Sequence, residues 1–436
     1  MLIAIAAVWA AVLTAPPATP PAAAAPAEVP APASCSGAGG PPFVWSGSPA
    51  ISSGGRYVAF TSNVDGLVPG DHNCRYDVFI RDTVARHTQL VSVDFTGRAG
   101  NGTSWGPSIS AEGRYVAFGS AAALVPGVPG GAVQVYLRDR WTARTSLVSA
   151  DPNGHPARGG AGFPALSPDG RYVAFAASPD LTGGDPAGPT AIYLRDLWDR
   201  TTTLVSATRH GQPADRESNA PALSADGRYV AFSSYASNLV PGDHNGWADV
   251  FVRDTTTGHT TLISGTGRHR HGVGYSASPA ISPDGRYVAY QRLTPDLAPG
   301  YTVSLPEIML RDMATGRTSV LTTGRQAAAS IGGRAAISAD DRYVVYPERD
   351  TSPPNSYIGE PGLLLLDRRT GHTTIVASGP DRSAPIPGQA EAMEPALSPE
   401  GRYLAFTTST RDIPDPDATG HVYRRDLWTG RTTLIN

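Results

Sequence analysis

The feature that most constrains this chain is a hexapeptide that occurs seven times. GRYVAF begins at Gly55 and returns three times, and the variants GRYVAY, DRYVVY and GRYLAF begin at Gly285, Asp341 and Gly401. The tyrosines of the seven copies are Tyr57, Tyr115, Tyr172, Tyr229, Tyr287, Tyr343 and Tyr403. A repeat of this length is one supersecondary unit that buries its faces against its neighbours. The seven copies therefore predict a single repeat domain.

Each repeat contains four strand patterns. In the first repeat they are PAIS (49–52), RYVAF (56–60), DVFIRD (77–82) and TQLVS (88–92). Short runs of β-branched and aromatic residues between Gly- and Pro-containing turns indicate strands. Four antiparallel strands repeated seven times predict an all-β fold, a seven-bladed β-propeller of four-stranded antiparallel blades. A solenoid of stacked strands is the alternative, although it would usually have atypical capping repeats.

The repeat also resembles a known family. The element S-[PA]-[DE]-G-R-Y-[VL]-A-[FY], seen at 167–175, and the strand ending in Arg-Asp that follows it are similar to the TolB-like, WD40-like (PD40) repeat. This resemblance covers residues 46–436 and implies the propeller fold. TolB itself carries an α/β domain before a six-bladed propeller, whereas only a Pro/Ala-rich segment precedes the seven repeats here. The resemblance therefore concerns the propeller and does not imply a Tol–Pal role.

The residues before the first repeat predict export from a bacterial cell. Leu2 to Leu13 are all apolar, a run that suits a signal peptide and is too short to span a bilayer. We expect a signal peptide over 1–25, a Pro/Ala-rich linker over 26–45 and the propeller over 46–436. Cys35 and Cys74 are the two cysteines, and in an exported protein they are candidates for a disulfide, with two separate thiols as the alternative.

Net charge and charge distribution narrow the classes of partner that we expect. The net charge is −3 and no basic stripe occurs, so nucleic acid is not an expected partner. We expect a secreted or extracytoplasmic monomer without a transmembrane span.

The strand order predicts one ion pair in every blade. The second and third strands are sequential and antiparallel, so the start of one lies beside the end of the other. The predicted pairs are Arg56–Asp82, Arg114–Asp139, Arg171–Asp196, Arg228–Asp254, Arg286–Asp312, Arg342–Asp367 and Arg402–Asp426. Because every repeat has the pair, we interpret it as architectural rather than ligand-binding.

Connection lengths predict where the function lies. The connections between strands two and three, and between consecutive blades, are about 14 residues long, and in an antiparallel blade both leave from the same end. Loops on a rigid scaffold are where binding sites usually occur. The sequence thus favours a binding or scaffolding propeller that engages a protein, peptide or glycan. The alternative is a carbohydrate-active lyase or hydrolase with acids at the channel mouth.

Few motifs point to catalysis. The pattern GTSWG (102–106) formally matches a nucleophile elbow, but it lies between blades and runs into a strand instead of a helix. We predict no catalytic residue. The cluster RHRH (268–271) would hold an anion or a metal, with a solvated loop as the alternative.

Repeats one and four share an insert that resembles part of a calcium loop. The inserts are LVPGDHNCRYD (67–77) and LVPGDHNGWAD (239–249). Their oxygen-bearing residues make calcium the one candidate cofactor. The six candidate ligands are Asp71, Asn73, Asp77, Asp243, Asn245 and Asp249. The alternative is that these side chains cap the loop through local backbone hydrogen bonds.

Overall fold

The structure is a computed structural model that describes residues 45–265, 274–294, 305–322, 334–349, 361–377, 390–410 and 420–436. All of these lie in a compact unit that spans Ala33–Asn436. The predicted signal peptide, nearly all of the linker and Cys35 lie outside the described residues, so they stay predictions.

The described residues form strands in seven consecutive groups of four. The first blade contains β1 (Ser46–Ile51), β2 (Tyr57–Ser62), β3 (Asp77–Asp82) and β4 (His87–Leu90). The second contains β5 (Ser104–Ile109), β6 (Tyr115–Ser120), β7 (Gln134–Asp139) and β8 (Arg144–Leu147). The third contains β9 (Ala161–Leu166), β10 (Tyr172–Ala177), β11 (Ala191–Asp196) and β12 (Thr201–Leu204). The fourth contains β13 (Ser218–Leu223), β14 (Tyr229–Ser234), β15 (Asp249–Asp254) and β16 (His259–Leu262).

The remaining three blades have the same composition. The fifth contains β17 (Tyr275–Ile281), β18 (Tyr287–Thr294), β19 (Leu305–Asp312) and β20 (Thr318–Val320). The sixth contains β21 (Ala336–Ile337), β22 (Tyr343–Arg349), β23 (Pro361–Asp367) and β24 (His372–Ala377). The seventh contains β25 (Ala390–Leu397), β26 (Tyr403–Thr410), β27 (His421–Asp426) and β28 (Thr432–Leu434). Two short 3-10 helices, Ser53–Gly55 and Pro179–Thr182, complete the regular structure of the described part.

Every blade is one antiparallel sheet whose strands follow chain order. The predicted seven-bladed propeller of four-stranded blades is therefore confirmed. The predicted third strands match closely, since DVFIRD is β3 itself. The first strands begin earlier than predicted, at Ser46 instead of Pro49 in the first blade, because their initial residues pair with the end of the second strand.

The first strands are the innermost ones. Each contacts the first strand of the next blade, and β1 contacts both β5 and β25, so the set closes into a ring around a central channel. Within the described residues, no strand is exchanged between the first and seventh blades. Closure instead depends on apolar packing, in which Phe60 and Phe79 share a cluster with Ala405 and Val422.

Adjacent blades also pack through a tyrosine and a glycine of the hexapeptide. Gly227 begins the copy in the fourth blade, and its φ is +70°, a conformation that favours glycine. A Cβ atom at this position would lie 2.6 Å from Cγ of Tyr172 in the third blade. The hexapeptide thus begins with glycine for two reasons, a left-handed turn and contact with the preceding blade.

No helix within the described ranges is long and apolar enough to cross a membrane.

Candidate functional site

The long connections of blades one to four leave from one end of their blades. The second strand ends and the third strand begins at this end. The fourth strand also ends here, and the first strand of the next blade begins here. Neighbouring long connections are hydrogen bonded, since the backbone N–H of Ser104 donates to the carbonyl of Tyr76 at 2.6 Å. We call this surface the long-loop face. We call the opposite surface, which carries the connections between strands three and four, the turn face.

The insert of the first blade is held by hydrogen bonds among its own polar groups. Asp77 is fully buried, and its two carboxylate oxygens accept hydrogen bonds from the Ser92 hydroxyl at 2.5 Å and the Asn73 amide at 2.8 Å. The Asn73 carbonyl oxygen accepts the backbone N–H of Arg75 at 2.8 Å. The predicted ligands Asn73 and Asp77 therefore contact each other directly.

The fourth blade repeats this arrangement. Asp249 accepts hydrogen bonds from the Ser264 hydroxyl at 2.5 Å and the Asn245 amide at 2.7 Å, and Asn245 accepts the backbone N–H of Trp247 at 2.7 Å. These bonds are the local ones expected of loop capping. Calcium at these loops stays a prediction, which a calcium titration of the melting temperature would test.

Two acids of the first insert have raised pKa values. Burial raises the pKa of Asp77 to about 7, although hydrogen bonds from Ser92 and Asn73 have the opposite effect and lower it. Burial, reinforced by the charge of Asp65, raises the pKa of Asp71 to about 6. Asp71 is only 3% exposed, so neither acid is open to a large substrate. Asp243, the equivalent of Asp71 in the fourth blade, is also buried.

The innermost strands carry a feature that the sequence analysis missed. Six of the seven contain a β-bulge at which two residues oppose one residue of the second strand. The first residue of each bulge precedes a proline and has a positive φ. These residues are Ser48, Gly106, Phe163, Ala220, Ser278 and Glu394, with φ between 49° and 62°. We call them the channel ring.

Two members of the channel ring face open space, and the chemistry of the ring is varied. A Cβ atom built on Gly106 would have no other atom within 4 Å, and Phe163 is 59% exposed. The Glu394 carboxylate accepts hydrogen bonds from the Ser48 backbone N–H at 2.7 Å and the Thr407 hydroxyl at 2.8 Å. Arg334 occupies the equivalent sequence position in the sixth blade.

These bulges are costly to form. A residue before proline is driven away from helical conformations, and a non-glycine residue at positive φ is strained. Bulges of this kind re-aim side chains and are over-represented next to functional sites. Their sequence signal is the X-Pro pair at the start of each first strand, as in Phe163-Pro164.

The turn face carries the seven predicted ion pairs. The structure brings every predicted arginine within 2.6–3.4 Å of its aspartate. The Arg114 guanidinium holds the pKa of Asp139 down at about 2, and Arg402 does the same for Asp426. Each aspartate also accepts backbone N–H groups of the adjoining turn, as Asp254 does from Thr256 at 2.9 Å. The pairs thus join two strands and a turn, and their architectural role stays a prediction.

The structure describes one of the two remaining sequence motifs. Ser104, the central residue of GTSWG, is fully buried, and its hydroxyl lies 2.8 Å from the hydroxyl of Ser120. It is therefore not placed as an exposed nucleophile. Residues 268–271 lie outside the described residues.

Comparisons with known proteins establish the fold of this chain but not its function. No protein-family model and no curated protein matches the sequence. The propeller domain of the Trilobed protease from Pyrococcus furiosus, described as having an open velcro topology, is similar with a TM-score of 0.55 at 13% identity, over 90% of this chain and 96% of that one. An oligogalacturonate lyase from Vibrio parahaemolyticus is similar with a TM-score of 0.55 at 10% identity, over 88% of this chain and 92% of that one. TolB from Acinetobacter baumannii is also similar, with a TM-score of 0.42 at 17% identity, over 83% of this chain and 76% of that one.

The chain is thus a β-propeller of the kind that its TolB-like repeats implied. Proteins with this architecture include both binding proteins and enzymes, so its function has to be argued from its own residues.

Proposed function

We propose that this protein is an extracytoplasmic binding propeller that engages a peptide or protein segment, or a glycan chain, through its long-loop face and central channel. The observation that carries the proposal is Phe163. It is a large apolar residue, 59% exposed on an innermost strand, and it is held at a φ of +54° immediately before a proline. Folding alone does not favour this combination, because glycine would be less strained and a polar residue better hydrated.

The channel ring also includes a polar group that suits recognition. Glu394 is fixed by Ser48 and Thr407, and both of those bonds are made by its Oε2 atom. Among the described residues its Oε1 atom accepts only from the Ser48 hydroxyl, at 3.5 Å, so it has capacity to accept a hydrogen bond from a ligand. An exposed aromatic side chain in the third blade and a fixed carboxylate in the seventh are both kinds of group that binding sites contain.

Binding is favoured over catalysis because the two acids of the long-loop face that have raised pKa values are inaccessible. A general acid must reach the atom that it protonates, whereas Asp77 is fully buried and Asp71 nearly so. The carbohydrate-active enzyme therefore remains the second candidate, and the same experiment separates the two.

The test uses a glycan array and a displayed peptide library with the secreted protein, followed by affinity measurement for the best binder. We expect retention without turnover, and Phe163→Ala should weaken binding about tenfold or more. Trp428→Ala is the matched control, because Trp428 is an aromatic residue of similar exposure, 69%, that lies on the turn face. Its affinity should remain within about twofold of wild type.

Two results would oppose the proposal. Equal losses of affinity in the Phe163 and Trp428 variants would show that the channel ring does not contribute specifically to binding. Chemical breakdown of a retained polysaccharide would favour the enzyme.

A further inference from the structure

The turn face carries three exposed tryptophans at one repeated position. Trp141, Trp198 and Trp428 each follow the ion-pair aspartate by two residues, and they are 64%, 67% and 69% exposed. The turn itself does not require tryptophan. Thr256 and Ala314 occupy the same position in blades four and five, and their backbone N–H groups make the same bond to the aspartate at 2.9 Å.

The tryptophans partly cover the ion-pair arginines. The Arg402 guanidinium lies 4.6 Å from the Trp428 ring centre, and its side chain is 32% exposed. The Arg342 side chain is also 32% exposed, although its blade has Arg369 at the tryptophan position. The ion-pair arginines are 28–32% exposed in the three blades with tryptophan and 44–52% exposed in blades one, four and five. Covering the ion pair thus accounts for one face of each indole, and the exposure of the indole leaves its other face open to a ligand.

One of the three tryptophans lines a groove between blades two and three. This groove has a volume of about 750 Å³ and contains Trp198, Arg144, Arg195 and Arg200 among its lining residues. The Arg195 guanidinium donates to the Thr202 hydroxyl at 2.8 Å. Burial lowers its pKa, and the charge of Arg200 lowers it further.

Arg200 occupies a position that favours glycine. Its φ is +56°, and the equivalent residues of blades four to seven are glycines with φ of 70–72°, namely Gly258, Gly316, Gly371 and Gly430. A long cationic side chain at a left-handed position is a conformational cost that the turn does not demand. It places a third arginine beside Trp198.

The carboxylates near this groove are already paired. Asp139 lies 2.7 Å from Arg114, and Arg171 lies 2.6 Å from Asp196 and 3.1 Å from Asp199. These acids are therefore paired with other arginines and not mainly with the three arginines of the groove. The groove thus has a positive local charge, although the net charge of the chain is −3.

The equivalent groove between blades five and six lacks this combination. Its volume is about 290 Å³, and Leu366 and Gly371 stand where Arg195 and Arg200 stand in the larger groove. Arg317 is the counterpart of Arg144 and is retained. Arginine occupies the Arg195 position in five other blades, and Arg86 occupies the Arg200 position in the first blade, but only the third blade combines tryptophan and arginine at the positions of Trp198 and Arg200.

We propose that the groove between blades two and three binds an acidic polysaccharide. Guanidinium groups bind carboxylates through paired hydrogen bonds, and the free face of an exposed indole can stack on the C–H face of a sugar ring. The lining also includes apolar residues such as Leu147 and Leu197 beside Thr142 and Ser146, so an acidic protein segment is the alternative that the experiment separates from a polysaccharide. The volume is in the range of pockets that hold small ligands.

The experiment measures binding of the full protein to immobilised alginate, neutral dextran and poly-glutamate. We expect alginate to bind, dextran not to bind, and poly-glutamate to bind at least about tenfold more weakly than alginate. The test variant is Trp198→Thr with Arg200→Gly, which installs the residues of the fourth blade and should weaken alginate binding about tenfold or more. The matched control is Trp428→Thr, which removes an equally exposed indole outside the groove and should leave alginate affinity within about twofold.

Several results would overturn the proposal. The proposal fails if the protein does not bind alginate, or if it binds alginate and poly-glutamate equally. It also fails if the test and control variants lose the same amount of alginate affinity. Melting temperatures of all variants exclude misfolding as the cause, and Phe163→Ala should leave alginate binding intact because the proposed channel site lies elsewhere.

Discussion

Asp341 shows how one residue can depart from the repeat at a cost. It replaces the first glycine of the hexapeptide and keeps the left-handed conformation, with a φ of +56°. Its Oδ1 atom is buried, with no hydrogen-bond partner among the residues that the structure describes. Burial and the charge of Asp284 raise its pKa to about 6.

We therefore expect Asp341→Gly to stabilise the protein, by about 1 kcal/mol at pH 8. The raised pKa means that the folded state binds the proton more tightly than the unfolded state, so this residue's contribution to stability falls as the pH rises from about 4 through about 6. The gain from glycine should consequently be larger at pH 8 than at pH 4. Denaturant unfolding at both values checks this, and an equal gain at the two would assign the effect to backbone strain alone.

At the scale of the blade, the contact between glycine and tyrosine sets how closely neighbouring sheets approach. Gly227→Ala should destabilise the protein through both its positive φ and the contact of the new methyl with Tyr172. Gly211→Ala is the control, since Gly211 has a φ of +78° but no atom within 4 Å of a Cβ.

The difference in unfolding free energy between the two variants isolates the contact between blades. We expect Gly227→Ala to cost about 1–3 kcal/mol more than Gly211→Ala, which is the usual cost of overpacking. Equal costs would mean that neighbouring blades adjust freely.

Strands were more predictable from the sequence than the site was. Alternation and turn residues located β3 and the fourth strands, because those segments have regular pairing with period two. The bulges at Ser48 and Phe163 were missed because a left-handed residue shifts the pairing register without changing the apolar pattern. The groove beside Trp198 was missed because Arg144 and Arg200 come together only when two blades pack, at a sequence separation that no motif specifies.

At the scale of the whole ring, the first and last described strands meet. The Asn436 amide donates to the Ser46 hydroxyl at 3.0 Å, and the backbone N–H of Ser46 donates to the carbonyl of Gly420 at 3.1 Å. Arg424 reaches from the seventh blade to the carbonyl of Gly55 at 2.7 Å. Neighbouring blades thus contact one another here without sharing a sheet.

A circular permutant should therefore fold. Joining Asn436 to Trp45 through a short flexible linker and opening the chain between Arg209 and His210, both exposed, should lower the unfolding free energy by less than about 2 kcal/mol. Opening instead between Ile192 and Tyr193, inside β11, should prevent folding because it interrupts a buried strand. Circular dichroism and thermal melts compare the two, and similar behaviour of both permutants would contradict the expectation.

The interface between blades seven and one is the place where the ring has no peptide connection. Thermal fluctuations should separate these two blades more readily than any other adjacent pair, so amide hydrogens of β1 and β28 should exchange with solvent before those of β14 and β15. A bond between Cys35 and Cys74 would link the segment before β1 to the first blade itself, and so it would leave this interface free to part.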